Sequence, residues 1–300
     1  MLVVEHNLLV NLELQGCLSE SLFERLRLID RACESAQMHP RDLGRFSEAE
    51  AMFKKAIAAY DESLGKRSAQ SVAALRGLAT SKEFEGHYQE AETMLRDALA
   101  IVLEHDAPTS LSVAAVRADI GAVLRRAHKP TEALAELTQA SDVFDRSDAP
   151  DRGRIIATAA LSETQLDAGD TNAALTSAQA SLARARKILP PGHFMLGLPL
   201  FALARVELAQ HQDADAEKVL REAIAVRSTL QPPNDPRMLE LNVALVSALE
   251  AQHRRSEAVS LRRDVETALR ASHSPYAADL RGRLESSAKA ELAERDTAAR

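Results

Sequence analysis

Apolar residues recur along this chain at helical spacing, and the helical stripes themselves return every 41 or 42 residues. Over residues 71–85, Leu75, Leu78 and Ala79 share one stripe, which Gly86-His87-Tyr88 interrupts. Beyond it Ala91, Leu95, Ala98 and Leu99 fall at i, i+4, i+7 and i+8, the spacing of a second amphipathic helix. The same helix–turn–helix pattern can be set on one alanine, at Ala49, Ala91, Ala133, Ala174, Ala216 and Ala258, with intervals of 42, 42, 41, 42 and 42. Seventeen residues after each of the last five stands a proline: Pro108, Pro150, Pro191, Pro233 and Pro275. Proline cannot continue a helix, so each one marks the connection to the next unit.

Other positions keep the same register. The first helix carries Leu78, Ile120, Leu161, Leu203 and Leu245, followed one residue later by Ala79, Gly121, Ser162, Ala204 and Val246. The turn holds Gly44, Gly86, His128, Gly169, His211 and His253, and the second helix holds Ala56, Ala98, Ala140, Ser181, Ala223 and Val265. Small side chains at these places let neighbouring helices approach closely, where bulk would overpack the contact. Six units at a fixed period predict a solenoid, in which each unit buries its apolar face against its neighbours.

This grammar resembles the tetratricopeptide repeat. Gly44-Arg45-Phe46, Ala49, Phe53 and Ala56 carry the likeness in the first unit, and Gly86-His87-Tyr88, Ala91, Leu95 and Ala98 in the second. The period exceeds the usual ~34 residues of that family. It is similar to the 42-residue variant of kinesin light chains and many bacterial proteins, and Leu64-Gly65-Lys66 resembles its inter-repeat segment. The resemblance covers about residues 44–285 and implies an all-α, right-handed α-solenoid (superhelix) of thirteen or fourteen helices. On this reading residues 44–275 form the six-unit array and residues 276–300 a C-terminal capping helix and polar tail, apolar at Ala277, Leu280 and Leu284. Residues 1–43 fit less well: a helix is expected over Glu20–Ala36, but His39-Pro40 breaks the stretch where a first helix belongs. They are read as an irregular cap or the remnant of an earlier repeat. Two departures predict local differences. Ala178 stands where the family has Leu or Phe, so its unit should pack more loosely. Arg262 and Glu266 give the sixth unit a more polar second helix, as for a unit whose side meets solvent.

Composition narrows the core. With 46% hydrophobic residues, only 3% aromatics and no Trp, alanine and aliphatic side chains must fill it, which suits close helices and argues against a β-sandwich. The net charge of −7 supplies no basic face for nucleic acid, so Arg125-Arg126, Arg254-Arg255 and Arg262-Arg263 read as solvated helix faces. Cys17 and Cys33 form neither a metal-ligand spacing nor a disulfide framework, which favours a reducing compartment. The N-terminus lacks a basic signal-peptide region, and no stretch reaches the roughly 20 uncharged residues of a membrane span. A cytoplasmic protein with no membrane insertion is expected.

The chemistry of an enzyme is not spelled out. His39-Pro40-Arg41-Asp42-Leu43 has no Asn at the distance a kinase catalytic loop needs, and no glycine-rich phosphate loop accompanies it. The turn residues His128, His211 and His253 stand on the third, fifth and sixth units, separated by roughly 10 Å helix diameters or more, too far apart to share one metal. The expectation is no catalysis, no cofactor and no metal.

The resemblance places the first helix of each unit on the concave face, where Arg76, Asp119, Arg125, Arg126, Glu163, Phe201, Arg205 and Ser247 become the candidate partner-binding residues. The Lys/Asn carboxylate clamp of heat-shock adaptors is missing, since its places hold Arg76, Thr80, Asp119 and Ala122. The paired asparagines of kinesin light chains are missing too. Arg125, Arg126, Phe201 and Arg205 then point to a protein or peptide partner, acidic with an apolar anchor. The function expected is a non-catalytic protein–protein interaction scaffold. The alternative is a regulatory or sensor segment of bacterial signalling. The stretch from Arg221-Glu222-Ala223 to Asp279-Leu280-Arg281 resembles the repeat region of bacterial serine/threonine protein kinases, whose catalytic domain is not in this chain.

Overall fold

A computed structural model describes residues 46–147, 152–270 and 275–298. Residues 1–43, with both cysteines, the helix expected over Glu20–Ala36 and the His39–Leu43 stretch, lie outside the described residues. So does Pro150. The described residues form twelve α-helices and one short 3-10 helix, with no strand among them. The helices are α1 (Phe46–Leu64), α2 (Ser71–Glu85), α3 (Tyr88–His105), α4 (Leu111–Arg126), α5 (Pro130–Asp145) and α6 (Arg152–Asp167). They continue as α7 (Thr171–Ile188), α8 (Gly197–Ala209), α9 (Asp213–Arg227), α10 (Pro236–Ala251), α11 (Arg255–Arg270) and α12 (Pro275–Ala298). The fold is an all-α solenoid of helix–turn–helix units ending in a capping helix. Among the described residues it divides into two compact units, one of residues 46–83 and 87–154 and the other of residues 84–86 and 155 onward.

The turn inside each repeat explains the fixed period. Its first residue is left-handed: φ is 85° at Gly86, 87° at Gly169, and 58° at His128, His211 and His253. The next residue then sends its backbone N–H back to the carbonyl five residues earlier, as in His87→Lys82, Lys129→Leu124, Asp170→Gln165, Gln212→Glu207 and Arg254→Leu249. These are the long bonds of a Schellman ending. The same residue's carbonyl accepts the N–H of the recurrent alanine: Ala91, Ala133, Ala174, Ala216 and Ala258. One residue therefore closes the first helix and opens the second.

Left-handed backbone costs an ordinary L-residue about 1–2 kcal/mol, which glycine escapes at some entropic cost in the unfolded chain. Replacing His128, His211 or His253 by glycine should therefore stabilise the protein by a few tenths to about 1 kcal/mol each. Urea unfolding checks this; a loss of stability at all three sites would show that the imidazoles make contacts outweighing their backbone strain.

Other boundaries follow familiar rules. Ser110 caps α4 through a 3.2 Å bond from the Val113 N–H, Asp170 caps α7 through 2.9 Å from Ala173, and Asp235 caps α10 through 2.8 Å from Arg237. Pro130, Pro236 and Pro275 are first residues of helices, where the missing N–H is harmless. Pro108, Pro191 and Pro233 follow the ends of α3, α7 and α9 as expected, whereas Pro275 opens α12 instead of a connection.

In the first unit, Phe53, Ala56, Tyr60, Ala74 and Leu78 bury one cluster, and Leu95, Ala98, Val113, Ile120, Leu124 and Ala133 another. In the second unit the core runs from Ile155 through Leu200, Leu220, Leu241 and Leu249 to Ala258. Ala178 is fully buried with Ala159 and Ala202, and Leu198 and Leu203 pack against this small cluster, so neighbouring leucines cover the missing bulk. Arg262 corrects its expectation. Its side chain is only 14% exposed, because α12 covers it: it donates to the Leu284 carbonyl at 2.6 Å and pairs with Glu250. The polar position is an internal anchor for the capping helix, whose Tyr276, Ala277, Leu280 and Leu284 are buried.

Candidate functional site

Repeat register sets the chemistry on the first helices of each unit. In the first unit Arg76 on α2 pairs with Asp119 on α4, both half-buried. Arg126, near the end of α4, reaches Glu83 on α2 at 2.7 Å. Arg125 beside it is half-buried. In the second unit Arg205 on α8 forks across to α6, with one nitrogen 2.9 Å from Glu163 and the other 2.7 Å from Asp167. Burial opposes the charge on Arg205, but the two carboxylates prevail and raise its pKa further. A guanidinium bound on two sides is a rigid bracket between helices.

Next to this bracket lies an open depression of about 490 Å³, lined by Leu166, Leu208 and Val243 and by the polar groups of Asp167, Ser247 and Arg283. The Ser247 hydroxyl donates back to the Val243 carbonyl at 3.3 Å, a long bond that leaves its oxygen able to accept. Arg283 arrives from α12 and stands 3.8 Å from Glu240.

The candidate residues are therefore brought together in pairs: Arg76 with Asp119, Arg126 with Glu83, and Glu163 with Arg205. Ser247 joins Arg205 at the depression. Phe201 does not join them: it is 7% exposed and belongs to the core of the second unit, so the aromatic expected on the groove is spent inside the fold. Nor do the arginines present bare positive charge, since Arg76, Arg126 and Arg205 are matched by carboxylates. Sequence reasoning missed Leu166 and Leu208, although both stand three residues before a turn, the place of Glu83, Arg125 and Glu250 in other repeats. It had no means to find Arg283, which lies outside the repeat register. Among the described residues no group of three His, Cys, Asp or Glu side chains is placed to hold a metal. No described helix is long and apolar enough to cross a membrane.

Known proteins agree with this architecture. The tetratricopeptide-repeat family model matches residues 32–104 and 112–187. No curated protein sequence matches the chain. Among solved structures, a Rap protein complexed with Competence and Sporulation Factor aligns at 13% identity over 88% of this chain and 70% of its own, with a TM-score of 0.66. NprR in complex with its cognate peptide NprX aligns at 16% identity over 98% of this chain and 82% of its own, with a TM-score of 0.61. BtubC (BKLC) from P. vanneervenii aligns at 13% identity over 81% and 91%, with a TM-score of 0.52. At these identities the likeness is one of fold. With the repeat register, the family match and the helix–turn–helix stack in agreement, the chain belongs to the tetratricopeptide-repeat family.

Proposed function

We propose that this protein is a non-catalytic interaction scaffold that binds a peptide or helix of a partner on the first-helix face of the second unit, at the depression beside Arg205. The observation that carries the reading is the composition of that depression: an apolar floor of Leu166, Leu208 and Val243 beside Asp167, Ser247 and Arg283. A few polar anchors around an apolar floor suit a short segment with an aliphatic side chain to bury. The complexes of the Rap protein with Competence and Sporulation Factor and of NprR with its cognate peptide, which share the fold, support the same use here. The partner's acidic character drops out of this reading, because two of the three arginines that suggested it, Arg126 and Arg205, are already matched by carboxylates. The kinase-related alternative has only sequence resemblance behind it, so the scaffold is preferred.

The test is selection of peptides from a random display library on the full chain, followed by titration of the selected peptides. Leu208→Glu places a charge on the apolar floor and Ser247→Tyr fills the depression, so each should weaken binding by about tenfold or more, as loss of one buried apolar contact implies. Circular dichroism should show helicity unchanged. Peptides that bind both variants as tightly as the parent would place the site elsewhere.

A further inference from the structure

Glu207, near the end of α8, is at odds with its register. Four residues before the turn, the other repeats carry Lys82, Leu124, Gln165 and Leu249. Leu124 and Leu249 are buried in the core. Lys82 reaches Glu50 on the preceding second helix at 2.8 Å. Gln165 accepts from Ser177 on its own second helix at 2.8 Å. Around Glu207 the places of Glu50 and Ser177 are taken by Leu175 and Val219, whose side chains have nothing to donate. Its Oε2 is buried without a hydrogen-bond partner. The position thus holds neither an apolar side chain nor a fully satisfied polar one.

The charges around it offer no relief. Asp215 on α9 acts on Glu207 and repels its ionised form. On the same helix Glu217 is engaged by Arg254, Arg221 and Gln252. The first thirteen residues of α7, 171–183, carry no charge. On α10, Glu250 is held by Arg262 and Glu240 lies beside Arg283, while Arg205 on α8 itself is bound by Glu163 and Asp167. The seam between the fourth and fifth repeats also lacks a brace found at two other seams. There a glutamate one residue after the recurrent alanine clasps the turn of the next repeat, as Glu92 does with Lys129 at 3.1 Å and Glu217 with Arg254. Here those places hold Leu175 and Gln212, which cannot form an ion pair.

We propose that Glu207 is a proton-operated latch in the second unit: protonated, it packs in the seam of α8 against α9; ionised, it loosens the end of α8 and the first turn of α9. Burial and the charge of Asp215 push its pKa up to about 7 from 4.5. A folded-state pKa above the unfolded one favours folding fully below the unfolded value, and that contribution is lost as pH rises through the folded value. The latch therefore closes in mildly acidic solution and releases across neutrality.

Carboxyl-carbon NMR on the full chain should show Glu207 titrating near 7. Hydrogen exchange, corrected for its intrinsic pH dependence, should report amides at the end of α8 and the start of α9 opening about tenfold more at pH ~8.5 than at pH ~6, the equivalent of one pKa unit of coupling. In Glu207→Met, whose uncharged side chain suits the apolar seam, that difference should vanish. A Glu207 carboxyl titrating near 4.5, or exchange with the same pH dependence in the parent and the Met variant, would overturn the proposal. If the Met variant fails to fold, the titration in the parent decides alone.

Discussion

Gly121→Ala should cost about 1–2 kcal/mol of stability, while Gly282→Ala, the same change on another helix, should add up to about 1 kcal/mol. Both glycines lie inside helices, so each replacement removes the same unfolded-state entropy and gains the same helix propensity. What differs is the space. A Cβ on Gly121 would stand 2.4 Å from Leu137 Cγ and about 3 Å from both its methyl groups. Leu137 is fully buried, so it cannot swing into solvent, and α4 and α5 must separate or the leucine must leave its rotamer. A Cβ on Gly282 would meet nothing within 4 Å. Urea or thermal unfolding of the two variants measures the difference. Equal shifts would mean that α4 and α5 are not packed at the close distance described here. Gly77 makes the same kind of contact one repeat earlier, with its Cβ position 2.4 Å from the buried Phe53 ring.

Arg205→Met should destabilise the second unit by about 2–3 kcal/mol, somewhat below the cost of breaking a fully buried ion pair, because the side chain is still 20% exposed. The methionine keeps the stem's packing but leaves Glu163 and Asp167 facing each other without the cation between them. Adding Glu163→Gln to Arg205→Met should return a good part of the loss, since it removes the repulsion and one stranded charge. A double-mutant cycle in urea isolates this term. If the double variant is no more stable than Arg205→Met, the guanidinium is a solvated surface group and its two short contacts contribute nothing. The pair of Arg76 and Asp119 offers a comparison in the first unit.

Most of the fold was legible in the sequence because a repeat states its own register six times. The helix bounds expected around Gly86 agree with α2 and α3 to within two residues, and the recurrent Ala91, Ala133, Ala174 and Ala216 are all fully buried. What failed was the assignment of faces. Phe201 was placed on the groove by counting from the turn, yet it sits where α8 is covered on several sides, with Pro199, Leu200, Phe201, Ala202 and Ala204 all buried. A helix apolar around most of its circumference has no stripe from which to read a direction. Arg262 was read as facing solvent because register describes repeats, and the α12 helix that covers it is not one. Charge pairing was illegible for a similar reason: Arg205 and Glu163 are 42 residues apart, one full period, and only the stack brings them together.

The shared residue at each turn has a consequence for how such a chain can change length. Because His87, Lys129, Asp170, Gln212 and Arg254 each seal one helix and start the next, an inserted residue there would break two hydrogen bonds at once. The distance from the turn's Gly or His to the recurrent alanine is accordingly five in all six units, including the one interval of 41. Variation is confined to the connections between repeats, which range from the short Asp106–Ser110 link to the stretch after α7 that holds the 3-10 helix Phe194–Leu196. Whole repeats cut from turn to turn are therefore cassettes whose joints carry their own backbone seals and whose compatibility is decided by side-chain shape and by the ion pairs that cross from repeat to repeat.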